Sequence, residues 1–184
     1  MGPTRVTAAV PTPSHPLQIF SLSRHTDSYL HLAPTSERVP MSYIKENWFV
    51  GFKNRLLQEI ARKAPGAMSL RPLLHRWRGV EMEKNVWIGY DAIIETAHPE
   101  LVTIKEGAII SIQVLILAHF GGWERSVIIE RNAFLGPRVI VLPNVVIGEG
   151  SVVAAASVVT QSVPPMTMVQ GNPAKPLDQA NPPT

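Results

Sequence analysis

A six-residue beat constrains this chain more than any other feature. From 129 to 164 it reads IERNAF, LGPRVI, VLPNVV, IGEGSV, VAAASV, VTQSVP without an insertion. The first position is always aliphatic: Ile129, Leu135, Val141, Ile147, Val153 and Val159. The fifth is small or β-branched: Ala133, Val139, Val145, Ser151, Ser157 and Val163. A helix repeats about every 3.6 residues and a strand about every 2, so neither element carries this period. One short flat strand plus a corner does, and three such faces make a triangular coil of about 18 residues. First-position side chains then point into the prism, with Ile129 under Ile147, Leu135 under Val153 and Val141 under Val159. Backbone hydrogen bonds run from coil to coil, as in a parallel sheet. The Val and Ile content suits strands. A β-sandwich would instead alternate with period two and turn every ~8–12 residues.

The beat continues upstream with breaks. Ile104, Ile110 and Ile116 keep step, and Ile88 and Ile94 keep step with each other. From Ile94 to Ile104 is ten residues, four beyond one hexad; from Ile116 to Ile129 is thirteen, one beyond two hexads. The stretch 119–125 (HFGGWER) lacks the aliphatic first position, so it reads as a loop leaving the prism. Loops on a rigid scaffold are where function concentrates. About four to five coils are expected between 86 and 164 from the 18-residue repeat. Gly136, Gly148 and Gly150 are expected near corners, where a residue without Cβ costs least.

Composition sets the outer bounds. A length of 184 residues favours one domain, and a net charge of +3 with no Lys/Arg run gives no case for nucleic acid. The chain has no cysteine, which removes disulfides, thiolate metal sites and a cysteine nucleophile. No apolar run approaches about 18 residues, so no membrane span is expected. No signal-peptide h-region opens the chain, and a cytoplasmic location is the expectation. Residues 1–40 read as an irregular arm: 1–26 carry no acid, and Pro3, Pro11, Pro13 and Pro16 oppose a helix.

Residues 41–79 read as a helical cap and connector. Ile44, Trp48, Phe52, Leu56 and Ile60 recur at i, i+4, after a candidate N-cap at Ser42 and before a stop at Pro65 and Gly66. Lys45, Lys53, Arg55, Arg62 and Lys63 lie on the other face. A basic amphipathic helix can lie on a membrane. A solenoid end needs a cap, however, so the apolar face is expected to pack on the prism or close its first coil. Residues 69–79 read as a second short helix or connector, 80–177 as the repeat domain and 178–184 as a disordered tail.

The hexads, VWIG at 86–89, SVVTQSVPP at 157–165 and GNPAKP at 171–176 resemble the hexapeptide-repeat acyltransferases. That family includes maltose and galactoside O-acetyltransferases, serine acetyltransferase and streptogramin acetyltransferases. The resemblance covers about 80–177 of the sequence. It implies a left-handed parallel β-helix, a homotrimer, an active site between neighbouring prisms, and acetyl-coenzyme A or another acyl-coenzyme A as donor. The expected fold is therefore mainly β: a left-handed parallel β-helix of hexapeptide repeats with an N-terminal helical segment and an irregular arm.

Acyl transfer from a thioester to the hydroxyl or amine of a small acceptor needs a base, a stabilised oxyanion and two substrates held together. A neutral histidine suits the first task. His15, His25 and His31 fall in the arm, and His75 stands among Arg71, Arg76 and Arg78 outside the beat. That leaves His98 and His119. The family's catalytic histidine sits just before a V-x-I-x-x-x-x-x-aliphatic-G coil, which 127–136 supplies here. The resemblance thus makes His119 the general base, against a corner histidine with a structural hydrogen bond. His98 lies in ETAHPE, one repeat earlier, in a structural or substrate-orienting position. Glu95 and Asp91 are acids that could orient a histidine, bind the acceptor or simply be solvated corners. Phe120 and Trp123 flank Gly121 and Gly122, either as an acceptor pocket or lid, or as packing against the next subunit.

The resemblance also carries donor contacts over. Ala155 and Thr160 match the lining of the pantetheine groove, Pro137 lies one coil below Ala155, and Lys175 matches the residue that meets coenzyme A phosphates. Two departures stand out. Gln161 replaces a residue often basic in relatives, and Pro137 offers no backbone N–H. An acyl group on a carrier protein's phosphopantetheine arm is therefore the alternative donor. No metal is expected: a zinc enzyme similar to γ-type carbonic anhydrase needs a close-spaced histidine pair, and none follows His119. A catalytically silent scaffold is the third reading.

Overall fold

The computed structural model describes residues 48–120 and 123–177. The expected arm at 1–40, the Ser42 cap, Ile44, Lys45 and the tail at 178–184 lie outside those residues. Two helices come first, α1 (Trp48–Lys63) and α2 (Leu70–Arg78). The chain then winds, laying one short strand on each of three faces per turn. The first turn holds β1 (Glu81–Met82), β2 (Trp87–Ile88) and β3 (Ile93–Ile94). The second holds β4 (Val102–Ile104), β5 (Ile109–Ile110) and β6 (Leu115–Ile116), and is followed by a hairpin of β7 (His119–Phe120) and β8 (Trp123–Glu124). The third holds β9 (Val127–Ile129), β10 (Phe134–Leu135) and β11 (Ile140–Val141). The fourth holds β12 (Val146–Ile147), β13 (Val152–Val153) and β14 (Val158–Val159). A closing hairpin is made of β15 (Met168–Gly171) and β16 (Ala174–Pro176).

The faces are parallel sheets: β1-β4-β9-β12, then β2-β5-β10-β13-β15 with β16 antiparallel at its edge, then β3-β6-β11-β14. This is a parallel β-solenoid. The expected stacking holds residue for residue, with Ile129 beside Ile147, Leu135 beside Val153 and Val141 beside Val159. The ladders extend downward through Ile110 to Ile88 and through Ile116 to Ile94. First- and fifth-position side chains are both buried, so two of every six residues fill the prism. Burying each aliphatic side chain contributes roughly 1.5–3 kcal/mol. Ser151 and Ser157 stand at fifth positions without stranding a hydroxyl. Ser151 donates to Gly148 O at 2.7 Å, and Ser157 accepts from Gly171 N–H at 3.1 Å.

The corners correct the glycine expectation. Every sixth residue is left-handed: Asn132, Arg138, Asn144, Gly150 and Ala156 have φ of 54°, 60°, 65°, 63° and 60°. Gly150 belongs to this set, but Gly136 and Gly148 do not. At those two the constraint is the next coil: a Cβ on Gly136 would lie 2.8 Å from Ala155 N, and one on Gly148 would lie 2.4 Å from Pro165 N.

The insertions also resolve differently from the count. Ile104 pairs directly with Ile129, so that turn holds one coil plus the seven residues 119–125, not two hexads plus one. Those seven form the β7–β8 hairpin, with His119 opposite Glu124 and Phe120 opposite Trp123. The four extra residues before Ile104 carry a 3-10 turn at Pro99–Leu101.

The cap works through the opposite face of α1 from the one expected. Gly51, Asn54, Gln58 and Ala61 are buried, whereas Trp48 and Phe52 are 71% and 58% exposed. The reason lies in the solenoid's open edge, whose unpaired backbone groups need partners more than apolar cover. Gln58 Nε2 donates to Ala92 O at 2.9 Å. Arg71 donates to Ile88 O, Arg76 to Met82 O and Glu83 O, and Arg78 to Ile94 O and Glu95 O. In return, Ala67 O and Arg62 O accept from Ile88 and Asp91 N–H. The two helices thus supply what a preceding coil would have supplied.

Candidate active site

Both insertions leave the prism at one corner, between the β3-β6-β11-β14 face and the β1-β4-β9-β12 face. Glu95 follows β3 there, His119 follows β6, and Thr160 and Gln161 follow β14. Glu95 turns inward at the point where its strand ends, and its side chain is fully buried. One carboxylate oxygen accepts from Ala118 N–H at 2.7 Å and His119 N–H at 3.2 Å. The other accepts from Ala97 N–H at 2.9 Å and His98 N–H at 3.3 Å. The same oxygen lies 2.7 Å from His119 Nδ1. Glu95 therefore ties the bases of both insertions together. Burial pushes its carboxyl up, but the Ala118 N–H, His119, and the Ala97 and His98 N–H groups together hold it below the usual carboxylate range.

This geometry fixes the histidine's chemistry. An ionised carboxylate only accepts, so Nδ1 of neutral His119 carries the hydrogen and the Nε2 lone pair is left to take a proton. The His119 side chain is 43% exposed above a fully buried partner. His98 stands beside it, with ring centroids 6.1 Å apart at 78°. His98 Nδ1 lies 3.3 Å from Glu100 Oε1. The corner thus presents two imidazoles, one backed by a buried carboxylate and one by an exposed one.

The structure places the other named residues elsewhere. Asp91 sits at a different corner, where it pairs with Arg62 at 3.4 Å, so it is not brought to His119. Glu95 itself is enclosed by protein donors and presents nothing to an acceptor, in contrast to the substrate contact considered for it. Pro137 and Ala155 stack on the Asp91 corner, with Ala156 N–H donating to Pro137 O at 2.8 Å. Lys175 is exposed on β16 opposite Gln170. Its hairpin is pinned near Ala155 by the bond from Gly171 to Ser157. Thr160 and Gln161 share the histidine's corner, two strand spacings away, or about 10 Å. One copy's His119 and its own Pro137–Ala155 row are therefore separated by a whole face of the prism. The side chains of Phe120 and Trp123 lie outside the described residues.

Beneath Glu95 lies a buried group the hexads do not mark. Arg78 reaches under the first coil to bond Gln58 Oε1 and, at 3.0 Å, His75 Nδ1. Burial, then the neighbouring Arg78 charge, lowers His75 to about 3, so it stays neutral. Burial likewise lowers Arg78, to about 10, against an opposing pull from Glu95. Its signal in the sequence is the spacing of Arg71, Arg76 and Arg78 just before the first coil, a donor-rich stretch meeting an open sheet edge. Among the described residues no three His, Asp or Glu side chains are grouped to hold a metal ion, and no helix is long and apolar enough to cross a membrane.

Comparison with known proteins gives a consistent setting. The family model described as bacterial transferase hexapeptide (six repeats) matches residues 126–161. A putative acetyltransferase of Schizosaccharomyces pombe is 55% identical over 49 residues, 27% of this chain and 24% of that protein. The chain spans about a quarter of the length of the curated relatives it matches. A galactoside acetyltransferase in complex with coenzyme A aligns with a TM-score of 0.57 at 18% identity, covering 76% of this chain and 86% of that one. A Vibrio cholerae hexapeptide-repeat acetyltransferase complexed with acetyl-coenzyme A aligns at 0.54 and 24% identity, covering 74% and 90%. At these identities the two structures establish the shared fold.

Proposed function

From the bacterial transferase hexapeptide repeat this chain carries over 126–161, we propose that it is an acyltransferase with His119 as general base. The donor is acetyl-coenzyme A or another acyl-coenzyme A, and the acceptor is a hydroxyl or amine of a small molecule. One observation carries the reading: His119 Nδ1 at 2.7 Å from the buried Glu95 carboxylate, on an exposed corner of the solenoid. His119 Nε2 takes the acceptor's proton as the acceptor's oxygen or nitrogen attacks the thioester carbonyl. The tetrahedral intermediate collapses, the carbon–sulfur bond breaks, and the thiolate leaves with the proton from His119. Glu95 keeps the tautomer and stands opposite the imidazolium. His98 orients the acceptor from the neighbouring insertion.

The donor lies along Pro137 and Ala155 with Lys175 on its phosphates, while Thr160 and Gln161 flank the histidine's corner. Because the Ala155 row and His119 occupy different corners of one copy, a homotrimer supports the chemistry best. In it, one copy's donor groove faces the next copy's histidine. The coenzyme A complexes of the galactoside and Vibrio cholerae proteins are consistent with such a donor.

Calorimetric titration tests the donor. Coenzyme A and acetyl-coenzyme A should bind with micromolar affinity, weakened by Lys175→Ala. His119→Ala should abolish transfer in a protein that still folds, and surviving turnover would remove His119 from its role. If neither nucleotide binds but a phosphopantetheinylated carrier protein does, the donor is the carrier's arm.

A further inference from the structure

We propose that Arg78 is a positioning residue for the His119–Glu95 pair: it fixes the backbone at the end of β3, from which Glu95 reaches His119, and places a buried positive charge near that carboxylate. The inference rests on His119 acting as the base. Arg78 is 3% exposed, and its Nη2 donates to the two consecutive carbonyls of Ile94, at 2.9 Å, and Glu95. Its Nη1 is held by Gln58 from α1 and His75 from α2. The guanidinium is thus clamped by both helices before it meets the solenoid. Where the Glu95 backbone stands is set by the cap, and from there the carboxylate spans to the Ala118 and His119 N–H groups of the next coil.

Arg78 also brings a charge close to Glu95. A fully buried carboxylate without a countercharge is strongly disfavoured. When His119 is neutral, its contribution is a hydrogen bond, not a charge. Arg78 remains protonated near neutral pH despite burial, and Glu95 pulls its affinity for the proton upward. The other groups facing this pair do not fill that role. His75 is held neutral, Gln58 carries no charge, Arg62 pairs with Asp91 at the neighbouring corner, and His98 pairs with Glu100. A planar guanidinium suits two adjacent carbonyls in a way an ammonium does not.

Three variants of the full chain test this: Arg78→Met, Arg78→Lys and Arg71→Met. Arg71 is a control of equal burial, 2% exposed, bonded to Ala64 O and Ile88 O on the other side of the cap. The readouts are kcat and KM, their pH profiles, and the tautomer of His119, read from nitrogen-15 shifts in protein labelled with nitrogen-15 histidine. Arg78→Met should lower kcat about tenfold or more with donor KM within about threefold. It should weaken the preference of His119 for the tautomer with hydrogen on Nδ1, because a displaced Glu95 no longer holds that hydrogen. Arg78→Lys should keep the parental tautomer and recover part of kcat. Arg71→Met should lower the melting temperature while moving neither tautomer nor kcat.

A parental tautomer and kcat in Arg78→Met would overturn the proposal, as would Arg71→Met reproducing both changes. If Arg78→Met does not fold, Arg78→Lys decides: reduced kcat at unchanged KM supports the role, and parental kcat removes it. If the parent transfers no acyl group to any acceptor, the transferase reading fails by itself. The His119 tautomer still reports whether Arg78 acts on the pair.

Discussion

Replacing Glu95 by Gln changes one atom's chemistry and leaves the shape of the side chain intact. The carboxylate accepts four backbone N–H groups, two on each oxygen, and faces His119 Nδ1 as well. An amide offers one acceptor oxygen, and its NH2 must point at the other set of donors. Whichever way it turns, at least two buried or partly buried donors lose their acceptor, each costing about 1–3 kcal/mol. The expected loss of stability at neutral pH is thus about 2–6 kcal/mol, a large part of a typical domain's total. Turnover should fall about 100- to 10,000-fold, since His119 loses the partner that sets its tautomer.

Acid provides a signature. Glu95 is held below the usual carboxylate range, so its contribution is whole above the unfolded value of about 4.3 and is lost as pH falls through the lower native value. The gap between parent and Glu95→Gln should therefore narrow on acidification. Urea unfolding followed by circular dichroism at pH 7 and at about pH 3 measures it. A variant within about 0.5 kcal/mol of the parent at pH 7, or a gap indifferent to pH, would show that Glu95 does not act as a buried acceptor.

Three further outcomes are expected. His75, neutral when folded with its pKa lowered to about 3, should make stability fall as pH drops below the unfolded value near 6.5. The slope should be up to about 1.4 kcal/mol per pH unit, and His75→Asn should flatten it in unfolding experiments across that window. Ala156→Gly, at φ 60°, should raise the melting temperature, with a gain of about 0.5–1 kcal/mol from relief of left-handed strain; an unchanged or lower value would contradict the corner reading. Leu135→Ala, at a fully buried rung between Ile110 and Val153, should cost about 2–5 kcal/mol by denaturant unfolding.

The solenoid was legible because its period is enforced at every turn. A coil that buries Ile129, Leu135 and Val141 must bury Ile147, Val153 and Val159 in the same places, so the pattern repeats itself. The loop that His119 opens was legible for a related reason, as an interruption of an otherwise strict beat. What stayed hidden was everything that satisfies polar groups once. Glu95 was visible as an acid near His119, but its burial beneath the ring depends on two insertions closing over it. The α1 face was misread because i, i+4 periodicity reports where apolar side chains lie, not what the neighbouring surface needs. Here that surface is an open edge of backbone groups, and Gln58 answers it better than Phe52 does.

That open edge has a consequence at the scale of assemblies. A stack of identical coils has no internal reason to stop, and its bare end is a template for any strand that can complete the ladder. Met82, Ile88, Ala92 and Ile94 would present such a template if α1 and α2 were removed. A decapped chain therefore has a route to filaments, copy stacked on copy end to end, as well as to simple unfolding. The cap's arginines and glutamine act as terminators: they close the ladder with side chains, onto which no further strand can be added.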